Sequence, residues 1–158
     1  MSSAIDSFAP SWRHTRQLTL DFIAAVPDAR WDWTPHPRYA TLAKQFRHVL
    51  CVQGIYIDGL EHGRADFAHK HSHYGGPLER ASLLAAFARM DERQQRALNA
   101  IRHAGEDAYT IEFYGTQKLG SYLNAFLHHE ALHHGQWSFY ATLGGFETPL
   151  SWQVNWGL

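Results

Sequence analysis

Apolar and polar residues repeat with the spacing of an amphipathic helix in four stretches of the chain. The pattern places these predicted helices at about residues 12–26, 42–60, 77–103 and 116–144. Pro27, Gly63 and Gly105 separate the stretches, and Thr41 is suited to cap the start of the second. Four amphipathic helices in 158 residues predict an all-α fold, a four-helix bundle that occupies residues 1–158 as one domain.

The segment between the second and third predicted helices, residues 61–77, is polar and rich in glycine. Fully extended, a segment of this length reaches about 56 Å. A 20-residue helix is about 30 Å long. A long crossover loop between helices two and three is therefore possible, and a simple up-down-up-down order is not required. Two further segments carry weaker signals: residues 109–113 alternate as a strand does, and the tail from Phe146 is expected to be irregular and to fold back over the bundle.

Histidines occupy positions in the fourth helix where a bundle normally has leucine. A spacing of 3, 4, 3, 4 connects eight residues into one predicted core-facing stripe: Leu119, Tyr122, Phe126, His129, His133, Gln136, Tyr140 and Leu143. His128 and His134 fall outside this stripe. Residues at i and i+4 project side by side, so His129 and His133 are suited to bind one metal ion. The alternative is a pair of buried histidines that hydrogen-bond to other side chains.

The second helix has a similar stripe with one histidine in it. Its members step 4, 3, 4, 3, 4 along the chain: Thr41, Gln45, His48, Val52, Ile55 and Gly59. His48 is therefore predicted as the third metal ligand. Three neutral imidazoles leave coordination positions open for water or substrate, as in catalytic zinc sites.

Residues 129–133 also match the H-E-x-x-H motif of zinc proteases. No histidine follows the fourth helix to supply a protease's third ligand, so a different kind of metal site is favoured. Glu130 is predicted as a general base or as an acceptor that orients a ligand ring, with a surface carboxylate as the alternative. Gln136 is a candidate to bind a metal ligand or the substrate. Tyr56 and Trp33 are candidates for the pocket wall, although all three also suit an ordinary core.

Composition narrows the choice of partners. Fourteen Lys and Arg nearly balance fifteen Asp and Glu, and no basic block stands out, which argues against nucleic acid. The start of the chain does not resemble a signal peptide, and no apolar run approaches the length of a membrane span. With a single cysteine, the expectation is a cytoplasmic protein that does not bind membranes. Aromatic residues in the tail suggest a monomer or a homodimer rather than a larger assembly.

Three segments together resemble the DinB/YfiT-like superfamily, also called the DinB-like domain. They are VPDARWDWTPHPRYATLAKQFRHVL (26–50), HEALHHGQ (129–136) and LGGFETPLSW (143–152). The resemblance covers residues 10–157 and implies a bundle with a crossover connection. It also implies a metal site of His48, His129 and His133, with zinc or nickel as the metal. His134 stands where family members often have arginine, so an anion-binding role of that position is not carried over.

Relatives in that superfamily include transferases and isomerases that use low-molecular-weight thiols such as bacillithiol or mycothiol. The resemblance therefore implies a metal-dependent enzyme, either a thiol-dependent transferase or a hydrolase, that acts on a small molecule. The cofactors expected are a divalent metal ion and, for a transferase, a small thiol as cosubstrate. The alternative is a non-catalytic bundle that binds a metal or a ligand.

Overall fold

Four long helices form the body of the protein. The structure is a computed structural model that describes residues 3–69 and 73–157. Its long helices are α1 (Ala4–Ala25), α3 (Leu42–His62), α4 (Arg80–Ala104) and α5 (Leu119–Gly144). Two short helices are α2 (Asp28–Trp31) and α6 (Leu150–Trp156), and short 3₁₀ turns span Phe67–His69 and Glu106–Ala108. The all-α prediction is confirmed.

The helix boundaries follow local capping signals, with one clear exception. Thr41 caps α3 as predicted, because its side chain accepts a hydrogen bond from the Lys44 amide, and Gly63 ends the helix at a φ of 71°. In contrast, α1 begins at Ala4, eight residues before the predicted start. Ile5 and Phe8 are buried in the core, so tertiary packing stabilises a first turn that periodicity alone missed.

Two apolar clusters fill the bundle and define the directions of its helices. One cluster combines the N-terminal halves of α1 and α5 with the C-terminal halves of α3 and α4. The other combines the opposite halves of the same helices. Thus α1 is parallel to α5, α3 is parallel to α4, and the two pairs are antiparallel to each other. Parallel neighbours require a crossover, so the predicted crossover loop between α3 and α4 is confirmed.

A β-hairpin precedes α5. Strands β1 (Thr110–Glu112) and β2 (Thr116–Lys118) pair antiparallel, with Ile111 opposite Gln117. The extended segment predicted near residues 109–113 is therefore present. However, the prediction that the fourth helix starts at Gly115-Thr116 is wrong, because those residues complete the hairpin. Gly115 has a φ of 97°, a conformation that suits glycine in a tight turn.

The tail is helical, contrary to the prediction of an irregular segment. Pro149 precedes the first residue of α6, where its fixed φ is compatible with a helix start. Trp152 is fully buried, stacks on Phe22 at 4.6 Å and donates a hydrogen bond to the Leu18 carbonyl at 2.8 Å. Trp152 thus attaches α6 to α1. None of the described helices has the length and apolar character needed to span a membrane.

Candidate metal centre

The buried face of α5 differs from the predicted stripe. The residues buried along the helix include Phe126, Glu130, His133, His134 and Trp137. Gln136 and Leu143, two members of the predicted stripe, are exposed. The reason is geometric: a strict seven-residue repeat drifts by about 20° per heptad around a straight helix. The predicted stripe therefore leaves the core toward its C-terminal end.

The drift is small enough that His129 and His133 still face α3. His133 is buried and His129 is half-buried at the edge of the buried face. Because α3 runs antiparallel to α5, His48 lies across from both, with ring centroids 5.5 Å from His129 and 5.0 Å from His133. The structure therefore brings the three predicted ligands together between two helices.

The nitrogens of this triad lie at distances suited to one shared ion. His129 Nε2 and His133 Nε2 are 3.3 Å apart. Two nitrogens that each lie about 2.0–2.1 Å from a tetrahedral zinc ion are separated by about 3.3–3.4 Å. One ligand nitrogen from each of His48, His129 and His133 fits within a mutual distance of 4.8 Å. The residues present thus fit a divalent metal ion.

Burial keeps the imidazoles of His129 and His133 neutral. Desolvation, followed by the neighbouring His133 and His48, lowers the pKa of His129 to about 3. Desolvation and His48 lower the pKa of His133 to about 4, and the Gln136 side chain partly opposes this shift. A neutral imidazole has a free lone pair, which is the form that binds a metal.

Comparison with known proteins identifies the family. The family model of the DinB superfamily matches residues 11–137. The chain belongs to the DinB superfamily. A crystal structure of a DinB-like protein from Bacillus cereus ATCC 10987 superposes with a TM-score of 0.72 at 16% sequence identity, over 92% of this chain and 95% of that one. This likeness concerns the fold. A search of curated proteins finds no match.

In this DinB-superfamily chain, the other predicted site residues lie around the triad in different ways. Tyr56 is buried below it, with its ring 6.2 Å from His129, and stacks on Phe126 at 4.6 Å. Burial raises the pKa of Tyr56 to about 12. Trp33 is half-buried and packs edge-on against Tyr140 at 6.3 Å. Gln136, which is exposed, interacts with His133 from one helical turn away.

Glu130 lies on a different side of α5 from the triad. It is fully buried, so the alternative of a surface carboxylate is wrong. Thr19 donates a hydrogen bond to its Oε1 at 2.5 Å, and Arg16 Nη2 lies 3.1 Å from its Oε2 as an ion pair. Burial raises the pKa of Glu130, while Arg16 and Thr19 oppose the shift. Its contacts are those of a carboxylate that joins α5 to α1.

His134, predicted to lie outside the core, is buried in the same network. Its Nε2 is 2.8 Å from Thr19 Oγ1. Because Thr19 donates its single proton to Glu130, the hydrogen-bond pattern assigns the Nε2 proton to His134. Desolvation, Arg16 and His133 lower the pKa of His134 to about 3. No signal in the sequence indicated that Thr19 of α1 would join two residues of α5.

The buried network extends from Arg16 into α3 and α4. Arg16 Nη2 donates to Gln53 at 2.7 Å, and its Nε lies 3.2 Å from Asp91. Gln53 also donates to Asp91 at 2.8 Å and to Gln94 at 3.4 Å. Arg16, Gln53 and Gln94 are each at most 5% exposed. The signal that could have revealed them is a polar residue on an apolar helix face, repeated in three helices.

Asp58, Glu61 and His62 form a second group with ligand spacing among the described residues. Arg93 already pairs with both carboxylates, at 2.6 Å from Asp58 and 2.5 Å from Glu61. His73 Nε2 lies 3.1 Å from Asp58 as well. A guanidinium at this position neutralises the carboxylates, so the group is organised as an ion-pair cluster between α3 and α4.

Proposed function

We propose that the protein is a metal-dependent enzyme that acts on a small molecule, as a thiol-dependent transferase or a hydrolase. Its centre holds one zinc or nickel ion through His48, His129 and His133. The observation that carries this proposal is the 3.3 Å separation of the His129 and His133 Nε2 atoms, with a nitrogen of His48 beside them. Membership of the DinB superfamily supports the same conclusion.

The ligand set favours particular metals. Imidazole nitrogens suit zinc, nickel, copper and iron, whereas carboxylate and carbonyl oxygens suit magnesium and calcium. Among these, zinc and nickel are the ions that the resemblance to the DinB/YfiT-like superfamily implies. When bound, such an ion supplies Lewis acidity, which polarises a carbonyl group or lowers the pKa of a coordinated water or thiol.

The surrounding residues bind and orient rather than transfer protons. Gln136 lies next to His133, where its amide is suited to orient that ring or a substrate. We assign Glu130 a positioning role instead of the predicted general base, because its carboxylate contacts Arg16 and Thr19. Tyr56 closes the lower side of the centre with its stacked aromatic neighbours and retains its phenol proton because burial raises its pKa.

A pair of adjacent histidines tests the metal assignment. His129 belongs to the proposed centre, whereas its neighbour His128 is exposed. Protein purified without a histidine tag is expected to contain one equivalent of zinc or nickel, by elemental analysis. His129→Ala should lose the metal and His128→Ala should retain it, with folding of both checked by circular dichroism. Metal loss from His128→Ala alone, or metal-free wild type that cannot be loaded, contradicts the proposal.

Catalysis is tested on the same variants. The metal-loaded protein should convert electrophiles in the presence of a small thiol, or hydrolyse small esters or amides. His129→Ala should lose this turnover together with its metal. Binding of metal without any metal-dependent turnover in either screen would favour the non-catalytic alternative.

A further inference from the structure

A half-open cavity of about 460 Å³ lies between the loop before α3 and the C-terminal half of α5. Its volume falls within the range of small-molecule sites, about 300–1,000 Å³. The described residues that line it are Pro35, Tyr39, Gln45, Gln136, Phe139, Tyr140 and Leu143. The loop and the helix thus form two opposite walls around a space large enough for a small ligand.

The cavity borders the histidine triad at one end. Gln45 precedes His48 by one helical turn in α3, and Gln136 follows His133 by one turn in α5. Because these helices are antiparallel, both glutamines lie on the same side of the triad. Both also line the cavity, and Gln136 interacts with His133. A ligand in this space would therefore have its polar end next to the metal ligands.

The walls are apolar and solvent-accessible. Phe139 is 69% exposed, Leu143 is 63% exposed and Tyr39 is 61% exposed. These side chains leave apolar surface in water, and an aromatic or branched alkyl group would bury part of it. The cavity is accordingly suited to an apolar ligand body.

The polar groups of the cavity are the amides of two glutamines and the hydroxyls of Tyr39 and Tyr140. Tyr140 is already satisfied, since its hydroxyl donates to the Ala40 carbonyl at 2.7 Å and accepts from Gln45 at 3.3 Å. The amides of Gln45 and Gln136 provide donors and acceptors for an uncharged polar group. Each of the described lining residues is uncharged, so a charge on the apolar end of a ligand would gain no counter-charge from the walls.

We propose that this cavity binds an uncharged small molecule in which an aromatic or branched alkyl group adjoins an amide- or ester-type carbonyl. The apolar group contacts Tyr39, Phe139 and Leu143, and the carbonyl lies at the glutamine end beside the triad. This inference rests on the proposed metal-dependent function and gives its substrate class. It favours neutral acyl compounds over substrates with a charge on their apolar end.

Two matched probes test the charge preference. Phenylacetamide and its 4-sulfonate differ by one negative charge at the apolar end and share the same carbonyl end. Isothermal titration into the zinc-loaded protein should give at least about tenfold tighter binding of phenylacetamide, which corresponds to about 1.4 kcal/mol. Equal affinity for the two probes, or no binding of phenylacetamide up to its solubility limit, overturns the inference.

Variants locate the binding. Phe139→Ala should weaken phenylacetamide binding by about fivefold or more, because the apolar wall is shortened. Leu143→Arg should reverse the preference toward the sulfonate. The matched control is Tyr114→Ala, which removes an aromatic ring that is 86% exposed on the hairpin, and it should leave both affinities unchanged. Unchanged affinities in Phe139→Ala and Leu143→Arg overturn the assignment to this cavity.

Zinc content of each protein separates this inference from the proposed function. If wild type binds zinc but the affinities of both probes are the same in Phe139→Ala and Leu143→Arg as in wild type, the cavity inference fails and the metal centre stands. If zinc does not bind while phenylacetamide binding depends on Phe139, the cavity is supported as a ligand site and the metal proposal fails.

Discussion

Two pairs of residues in α5 have the same spacing and opposite surroundings. His129 and His133 face α3, where His48 brings a third imidazole. Glu130 and His134, each one residue further along, face α1, where Thr19 lies between them. One step of about 100° around the helix thus separates two kinds of buried polar group.

The two pairs differ in the chemical groups that the facing helix presents to them. Glu130 and His134 are contacted from α1: Thr19 hydrogen-bonds to both, and Arg16 forms an ion pair with Glu130. The triad instead presents imidazole nitrogens at ligand spacing, with His129 Nε2 and His133 Nε2 3.3 Å apart, and a divalent ion is the natural complement of such a set. Buried polarity alone therefore does not identify a metal site, whereas the chemistry of the facing helix does.

The largest expected effect is a loss of zinc affinity, and it is tested by comparing alanine variants of the neighbouring residues His133 and His134. His133→Ala should weaken zinc binding by more than about 100-fold, since loss of even an outer-shell partner costs about 10–100-fold. His134→Ala should leave zinc affinity within about tenfold but lower stability, because Thr19 and Glu130 lose a buried partner. Competition with a chelator measures the first quantity and urea unfolding measures the second. The opposite pattern would show that the two pairs have been assigned the wrong way round.

Glu130→Ala is the second prediction and tests the network side. It leaves the buried Arg16 without one of its carboxylates, and breaking a buried ion pair in this way costs about 3–5 kcal/mol of unfolding free energy. Asp91 still pairs with Arg16, which places the expected loss at the lower end, about 3 kcal/mol. Urea unfolding measures it.

The matched control for Glu130 is Glu92→Ala, which removes an exposed carboxylate of α4 and should change stability by less than about 0.5 kcal/mol. If the Glu130→Ala protein is as stable as wild type but has lost turnover, the positioning role is contradicted and a general base is favoured instead.

Acid sensitivity is the third prediction, and counted per pH unit it is the smallest effect. The pKa of His134 is lowered to about 3 in the folded protein, below the ordinary value of 6.5, so only the unfolded chain takes up this proton between those values. The free energy of unfolding is therefore unaffected by this group above pH 6.5. It decreases as the pH falls from 6.5 toward 3, by up to about 1.4 kcal/mol per pH unit. In metal-free protein, His134→Gln should flatten this slope by one proton equivalent. His128→Gln should not, and identical slopes in the two variants contradict the assignment.

Sequence patterns predicted the fold well where a signal was local or periodic. The Thr41 cap and the Gly63 stop of α3 are set by neighbouring residues, and the length of the loop after α3 allows the crossover that the family resemblance implied. The helical tail could not be predicted, because α6 depends on burial of Trp152 against α1. The start of α1 likewise depends on distant contacts of Ile5 and Phe8.

The candidate site was predictable for a related reason. His48, His129 and His133 interrupt otherwise apolar faces, and the structure brings them together. The roles of Glu130 and His134 could not be predicted, because they depend on the phase of a straight helix over several turns and on which residues of α1 face it. Thr19 and Arg16 are the residues that decide those roles.

One measurement tests the central claim directly: an anomalous difference map, recorded at the zinc or nickel absorption edge, from crystals of tag-free, metal-loaded protein. The account predicts a single strong peak within bonding distance of nitrogens of His48, His129 and His133, with no peak beside Glu130 and His134. A peak beside Glu130 and His134, or at Asp58, Glu61 and His62 with none at the triad, would contradict it.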